Sequence, residues 1–340
     1  MIMKKTDFSE YVSRFLTTYL VDERGSSKGT ITTYKYSMIQ FIRFMDEVFS
    51  ISVNKLQIKD ITYERVKMYL LWLEKEKHLK VATRNSRLCV LHSFLKYVQL
   101  DNLEFSLEIQ KILSISQKKC FSDTINFLSI EGVKLLLSIP DKSTKKGRRD
   151  TAMLALLYDS GCRVQELVNL DVSSLSFEKP PTLKVIGKGN KARLIPLMDN
   201  DIDILTSYMK ENNIFKNPLK LNEPLFFNSK GDRFTRQNIN SLVKEYASQA
   251  RRIKPDLIPQ KVSPHTLRHS RAMHLLQSGV NVVYIRDFLG HVSIRTTEIY
   301  AKADSKSKRE AIEKAYVQLT DDNKAEWQNN QTLLDWLENL

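Results

Sequence analysis

The stretch "SPHTLRHS", residues 263–270, sets His265, Arg268 and His269 within little more than one helical turn. Pro264 suits the first turn of a helix, and positions i, i+3 and i+4 share one helix face. Such a face fits three chemistries: a solvated basic surface, a metal site, or a phosphate seat. The helical zinc pattern needs Glu straight after the first His, and Thr266 stands there with no Cys pair nearby. No metal and no other cofactor is therefore expected.

Three further stretches carry chemistry. "SGCRVQEL" puts Arg163 at a helix start just after Gly161, with Glu166 three residues on. That is a phosphate seat or a plain surface ion pair. In "VIGKGNKARLIPL" two β-branched runs flank Gly187-Lys188-Gly189-Asn190, a hairpin with Lys188 at its tip. "YIRDFLGHVSIRTTEIYAK" places His291 after a helix-ending Gly290 and Tyr300 on the following helix, where a tyrosine would serve equally well as core. Together, two arginines, a lysine, histidines and a tyrosine suit phosphoryl transfer without a metal. The tyrosine attacks a phosphodiester, the arginines bind its non-bridging oxygens, and histidine and lysine move protons. A phenol with pKa near ~10 needs a base or a cationic surround to attack at neutral pH.

In order and spacing these four motifs resemble the tyrosine recombinase (phage integrase) family, in particular Xer-like recombinases and integrases of mobile elements. The resemblance covers residues 128–316; the N-terminal helices resemble the family's core-binding domain more loosely. It implies that Arg163 and Arg268 clamp the scissile phosphate and that Lys188 is the general acid toward the 5′ oxygen. His265 is then the His of His-x-x-Arg, and His291 takes the place of the family's second His or Trp. Tyr300 becomes the nucleophile of a 3′-phosphotyrosyl intermediate, whose retained bond energy makes ATP unnecessary. Glu166 would orient Arg163, and His269 would support the pair.

The elements that must position these groups follow from periodicity. Residues 1–114 read as a helical bundle, with Phe8, Val12, Phe15, Leu16 and Tyr19 on one stripe and Tyr34, Met38, Phe41, Ile42 and Met45 on another. "TYERVKMYL" predicts a helix capped at Thr62. Residues 115–127 lose the periodicity and read as a linker; 128–319 form a catalytic domain, mostly helical with a small antiparallel sheet; 320–340 are an acidic tail. The expected fold is mainly α, a helical core-binding bundle followed by an α+β catalytic domain.

Charge points to the partner. The chain has 340 residues and a formal net charge of +14, with +7, +11 and −4 in residues 1–120, 121–319 and 320–340. Such an excess favours nucleic acid, whose phosphates are neutralised by Lys and Arg. Double-stranded DNA at a recombination site is the expected partner, gripped from opposite sides by the two domains. Lys80, Thr83, Arg84 and Arg87 in the bundle are candidate contacts, as are Lys145, Lys146, Arg148, Arg149, Arg236 and Gln237 beyond it; phosphate positioning is the expected mode. Ala311, Ile312, Ala315, Tyr316 and Leu319 form an apolar stripe after Tyr300; the resemblance implies that this segment docks onto a neighbouring copy in a tetramer on DNA, docking in cis being the alternative, with an accessory DNA-bending protein as a further partner. The tail is expected to control assembly or activity, and to favour an element-borne integrase over chromosome-dimer resolution. A monomeric topoisomerase-like enzyme and a silent DNA-binding regulator are the rival classes. Three widely spaced cysteines give no disulfide framework. No signal core and no stretch near ~20 apolar residues is present, so a cytoplasmic, nucleoid-associated protein is expected.

Overall fold

The computed structural model describes residues 6–120, 125–187, 189–291, 293–303 and 337–338, with the backbone alone at 295 and 301–303. Two compact units divide the chain, Met1–Asp123 and Thr124–Leu340. Among the described residues no helix is long and apolar enough to cross a membrane. The stripe from Ala311 to Leu319 and most of the acidic tail lie outside the described residues.

Among its described residues the first unit is a bundle of five α-helices. The first, α1 (Asp7–Arg14), begins on Thr6, whose hydroxyl accepts from the Ser9 N–H, and runs on into π-helical turns over Phe15–Glu23. Ser27 caps α2 (Lys28–Phe49), and Thr62 caps α3 (Tyr63–Lys75) as the sequence predicts. α4 (Val81–Asp101) and α5 (Ser106–Leu113) complete it. The apolar stripes meet as a core of rings: Phe15 lies 5.4 Å from Phe94 and Phe41 5.1 Å from Tyr69, both edge-on. Each ring so buried is worth roughly 1.5–3 kcal/mol.

The polar stretch after α5 is tied down more than its composition suggests. Ile115 packs on the bundle core, and Asn85 donates to the Lys118 carbonyl. Ile125 and Phe127 pack within the second unit. Single apolar anchors among polar residues leave no periodicity to read.

The second unit opens with α6 (Ile130–Ser138), α7 (Lys145–Asp159) and the short α8 (Val164–Val168). The α7 run Ala152–Leu157 is apolar on every face, and all of it is buried. Next comes an antiparallel sheet in the order β1 (Leu175–Ser176), β2 (Thr182–Ile186), β3 (Ala192–Pro196). Leu183 pairs with Ile195 and Val185 with Arg193, so one face carries all four side chains toward the interior. The Gly187 N–H donates to the Lys191 carbonyl and closes the hairpin loop. Helices α9 (Asp199–Glu211), α10 (Arg236–Ile253), α11 (Pro264–Gln277), α12 (Val282–Leu289) and α13 (Arg295–Ala303) follow. The architecture is mainly helical with one small sheet.

Candidate active site

Two glycines set the frame. Gly161, in the turn between α7 and α8, has φ of +55°, and a Cβ there would fall 2.9 Å from Leu289 Cδ2. Its carbonyl accepts from Arg268 Nη1 at 2.5 Å. Gly290 ends α12 in the left-handed conformation, φ +65°, where a Cβ would meet Arg193 Nη1 at 2.9 Å. The carbonyl of Gly290 accepts from Arg163 Nη2 at 3.3 Å, and that of Leu289 from Arg268 Nη2 at 2.6 Å. A helix C-terminus presents unsatisfied carbonyls and partial negative charge. Here the end of α12 uses both to hold two guanidinium groups.

Arg163 is also the N-cap residue of α8. Its backbone N–H donates to Glu166 Oε2 and its Nη1 to Oε1, each at 2.8 Å. From the opposite side Arg193 donates to both oxygens of Glu166, at 3.2 and 2.8 Å, and through Nε to the Phe288 carbonyl at 3.0 Å. Burial works against the Glu166 charge, but the two arginines outweigh it and hold the carboxyl below its ordinary range. Arg193 therefore ties the hairpin strand to the Arg163 partner and to the end of α12. The sequence reading missed it. The available signal was strand parity: Arg193 is two residues before Ile195, hence on the buried face.

Arg268 is 3% exposed, and among the described residues no carboxylate accepts from it. Burial, then the neighbouring Arg163 charge, lowers its pKa to about 10, so it remains a cation at neutral pH. A buried cation bonded only to carbonyls keeps most of its desolvation cost and most of its pull on an incoming anion.

Tyr300 from α13 reaches this cluster and is 1% exposed. Its hydroxyl lies 2.9 Å from His269 Nδ1. The ring runs nearly parallel to that of His291, centroids 6.4 Å apart, while His291 Nδ1 sits 2.8 Å from the Thr297 hydroxyl. His265 stands exposed one turn before His269, with ring centroids 6.4 Å apart. Burial first, then nearby positive charge, pushes His269 and His291 down to about 4. Partial desolvation followed by the charges of Arg268, Arg163 and Arg236 lowers His265. Burial raises the Tyr300 phenol, opposed by Arg268 and Arg163. At neutral pH the nucleophile candidate thus sits among neutral imidazoles beside two fixed cations. The structure brings Arg163, Glu166, His265, Arg268, His269, His291 and Tyr300 together; Lys188 lies outside the described residues.

The expected surface contacts separate into two groups. Lys80, Lys145, Lys146, Arg236 and Gln237 are exposed and Thr83 is half-buried. Arg87 donates to Ser37 and lines an open cleft of about 430 Å³ with Thr33, Tyr36, Gln40 and Arg43, residues the sequence reading did not single out. Three arginines of the expected set are engaged within the protein. Arg84 is 6% exposed, donates to Asn85 and lies 3.6 Å from Glu74. Arg148 is held by both oxygens of Glu211 and by the carbonyls of Lys142 and Ser143. Arg149 pairs with the buried Asp150 and lies over the Phe234 ring. Each of the three has at least one hydrogen-bond partner inside the protein, which charge patterning alone does not reveal.

Comparison with known proteins agrees with this geometry. The phage integrase family model matches residues 126–307, and that of the phage integrase N-terminal SAM-like domain matches residues 12–100. The protein y4rC of Sinorhizobium fredii, assigned as an integrase/recombinase, is 31% identical over 312 residues, 92% of either chain. The tyrosine recombinase XerD of Rickettsia bellii is 31% identical over 312 residues, 89% of this chain and 97% of its own. In fold, the XerH site-specific recombinase bound to its difH substrate matches with a TM-score of 0.65 at 24% identity, over 87% of this chain and 82% of that one. The chain belongs to the phage integrase family and is a tyrosine recombinase, an enzyme of site-specific DNA recombination.

Proposed function

We propose that this protein cuts and rejoins double-stranded DNA through a 3′-phosphotyrosyl intermediate on Tyr300, to integrate or excise a mobile element. The observation that carries the reading is the meeting of Tyr300 with two guanidinium groups, Arg163 and Arg268, held by the main-chain carbonyls of Gly161, Leu289 and Gly290. A scissile phosphate accepts their hydrogen bonds, and they stabilise the charge that grows as the phenol oxygen attacks. Glu166 orients Arg163, His265 and His291 flank the phosphate, and Lys188 protonates the leaving 5′ oxygen. Lys80, Thr83, Arg87, Lys145, Lys146, Arg236 and Gln237 contact the duplex, largely at phosphates. Recombination joins two sites, so copies of the chain act together on DNA, as a tetramer with an accessory DNA-bending protein.

The acidic composition of residues 320–340, beyond the family match, supports the element-borne reading. Resolution of chromosome or plasmid dimers is the second reading, favoured by the likeness to XerD. The test is a suicide substrate, a nicked duplex built from candidate sites in the flanking genomic DNA. The native protein should yield a covalent adduct on denaturing gels. Tyr300→Phe should still shift the DNA and yield no adduct; an adduct with that variant would overturn the assignment. Whether the active site sequence borders an element or lies at the replication terminus separates the two roles.

A further inference from the structure

We infer that His269 is a catalytic residue, the acceptor of the Tyr300 proton during strand cleavage. This rests on Tyr300 being the nucleophile. Of the histidines around the phenol, His269 is the one whose ring nitrogen meets the hydroxyl, Nδ1 to Oη at 2.9 Å. His291 has its Nδ1 on Thr297, and His265 is exposed, its ring centroid 6.4 Å from that of His269. Both partners are fixed: His269 by α11, in the turn that also carries the buried Arg268, and Tyr300 by α13, which packs against α11 and is 1% exposed there. A proton-transfer pair needs this distance and this rigidity.

The step balances without another reagent. The Tyr300 oxygen bonds to phosphorus, the bond from phosphorus to the 5′ oxygen breaks, the phenol proton moves to His269 Nδ1, and the leaving oxygen takes up the proton from Lys188. Rejoining runs the same transfers backwards, with His269 returning its proton to the tyrosine. The surroundings of His269 suit a neutral acceptor: burial first, then His265 and Arg268 on its own helix, favour the unprotonated ring, while Tyr300 and His291 face it from the other elements. A bound phosphate adds negative charge beside the same arginines. This offsets the cationic field and makes an imidazolium less costly when the proton arrives.

The test uses the full chain on the suicide substrate, comparing native protein with His269→Asn and His269→Ala. Asn keeps a hydrogen-bonding atom near the place of Nδ1 but cannot take up a proton. Gel-shift affinity should stay within about threefold for both, which also shows that the variants fold. Adduct formation at pH 7 should fall by about 10²-fold or more in both. The native rate should change little between about pH 6 and 9, because His269 is pushed down to about 4 and stays unprotonated. The variant rates should rise with pH as hydroxide replaces the lost base, and imidazole should partly restore His269→Ala. Native-like cleavage by His269→Asn, or a defect insensitive to both pH and imidazole, would show a positioning role and overturn the inference. Failure of the underlying reading looks different: an adduct would persist with Tyr300→Phe whatever His269 does.

Discussion

Arg84 in the helical bundle and Arg268 in the catalytic unit are both arginines buried to within a few percent, yet they are completed in different ways. Arg84 has a carboxylate 3.6 Å away and an amide oxygen at 2.9 Å, both within the bundle. Arg268 has two backbone carbonyls and, among the described residues, no carboxylate bonded to it. The first is neutralised by its surroundings and serves the fold. The second keeps an unspent positive charge, which a folded domain tolerates at a cost and an anionic substrate relieves. Burial alone would have classed the two together; the chemistry of the partner separates an arginine completed within the fold from one whose charge is left to attract an anion.

That contrast breaks most visibly at Arg268. Arg268→Lys retains a charge but loses the planar fork that spans the Gly161 and Leu289 carbonyls. Adduct formation should fall by about 10²-fold or more while DNA affinity changes little, measured by cleavage and gel shift on the same preparation. If cleavage stays within a few-fold of native, the fork is not the phosphate clamp. Arg84→Ala should do the reverse. It removes one partner of Glu74 and of Asn85, both of which keep Lys118, and empties a buried site, so stability should drop by about 1–3 kcal/mol, read as a lowered denaturation midpoint. Adduct yield at low temperature should be unchanged, and a selective loss of DNA binding would return Arg84 to the interface. The smallest effect belongs to the exposed cations. Lys80→Ala should leave stability and cleavage at saturating DNA intact and reduce the salt slope of binding by about one phosphate contact. An unaltered slope would remove Lys80 from the DNA face.

The helices were largely legible because burial of one face imposes a period on the sequence. Thr62 announced its helix. The motif residues were legible because their side-chain types suit one reaction. What was hidden depends on contacts between segments distant in sequence. Arg193 reads as one more basic residue in a hairpin until Glu166 and the Phe288 carbonyl are seen beside it. Arg148 and Arg149 read as a basic surface run until Glu211 and Asp150 claim them. The meeting of His269 with Tyr300, 31 positions apart, likewise arises only when α11 and α13 pack.

The anchoring of Arg163 and Arg268 on the main-chain oxygens of residues 161, 289 and 290 bears on how such an enzyme can be re-engineered. A side-chain anchor can be lost by one codon change, whereas a carbonyl is present whichever amino acid is encoded. On the proposed function, libraries aimed at new target sequences would vary the exposed cations and leave the Arg163–Arg268 cluster in place, provided Glu166 and the two left-handed turns survive. Randomised at 161 and 290, the same libraries should return glycine, because any larger residue displaces Leu289 or Arg193 before it touches a substrate.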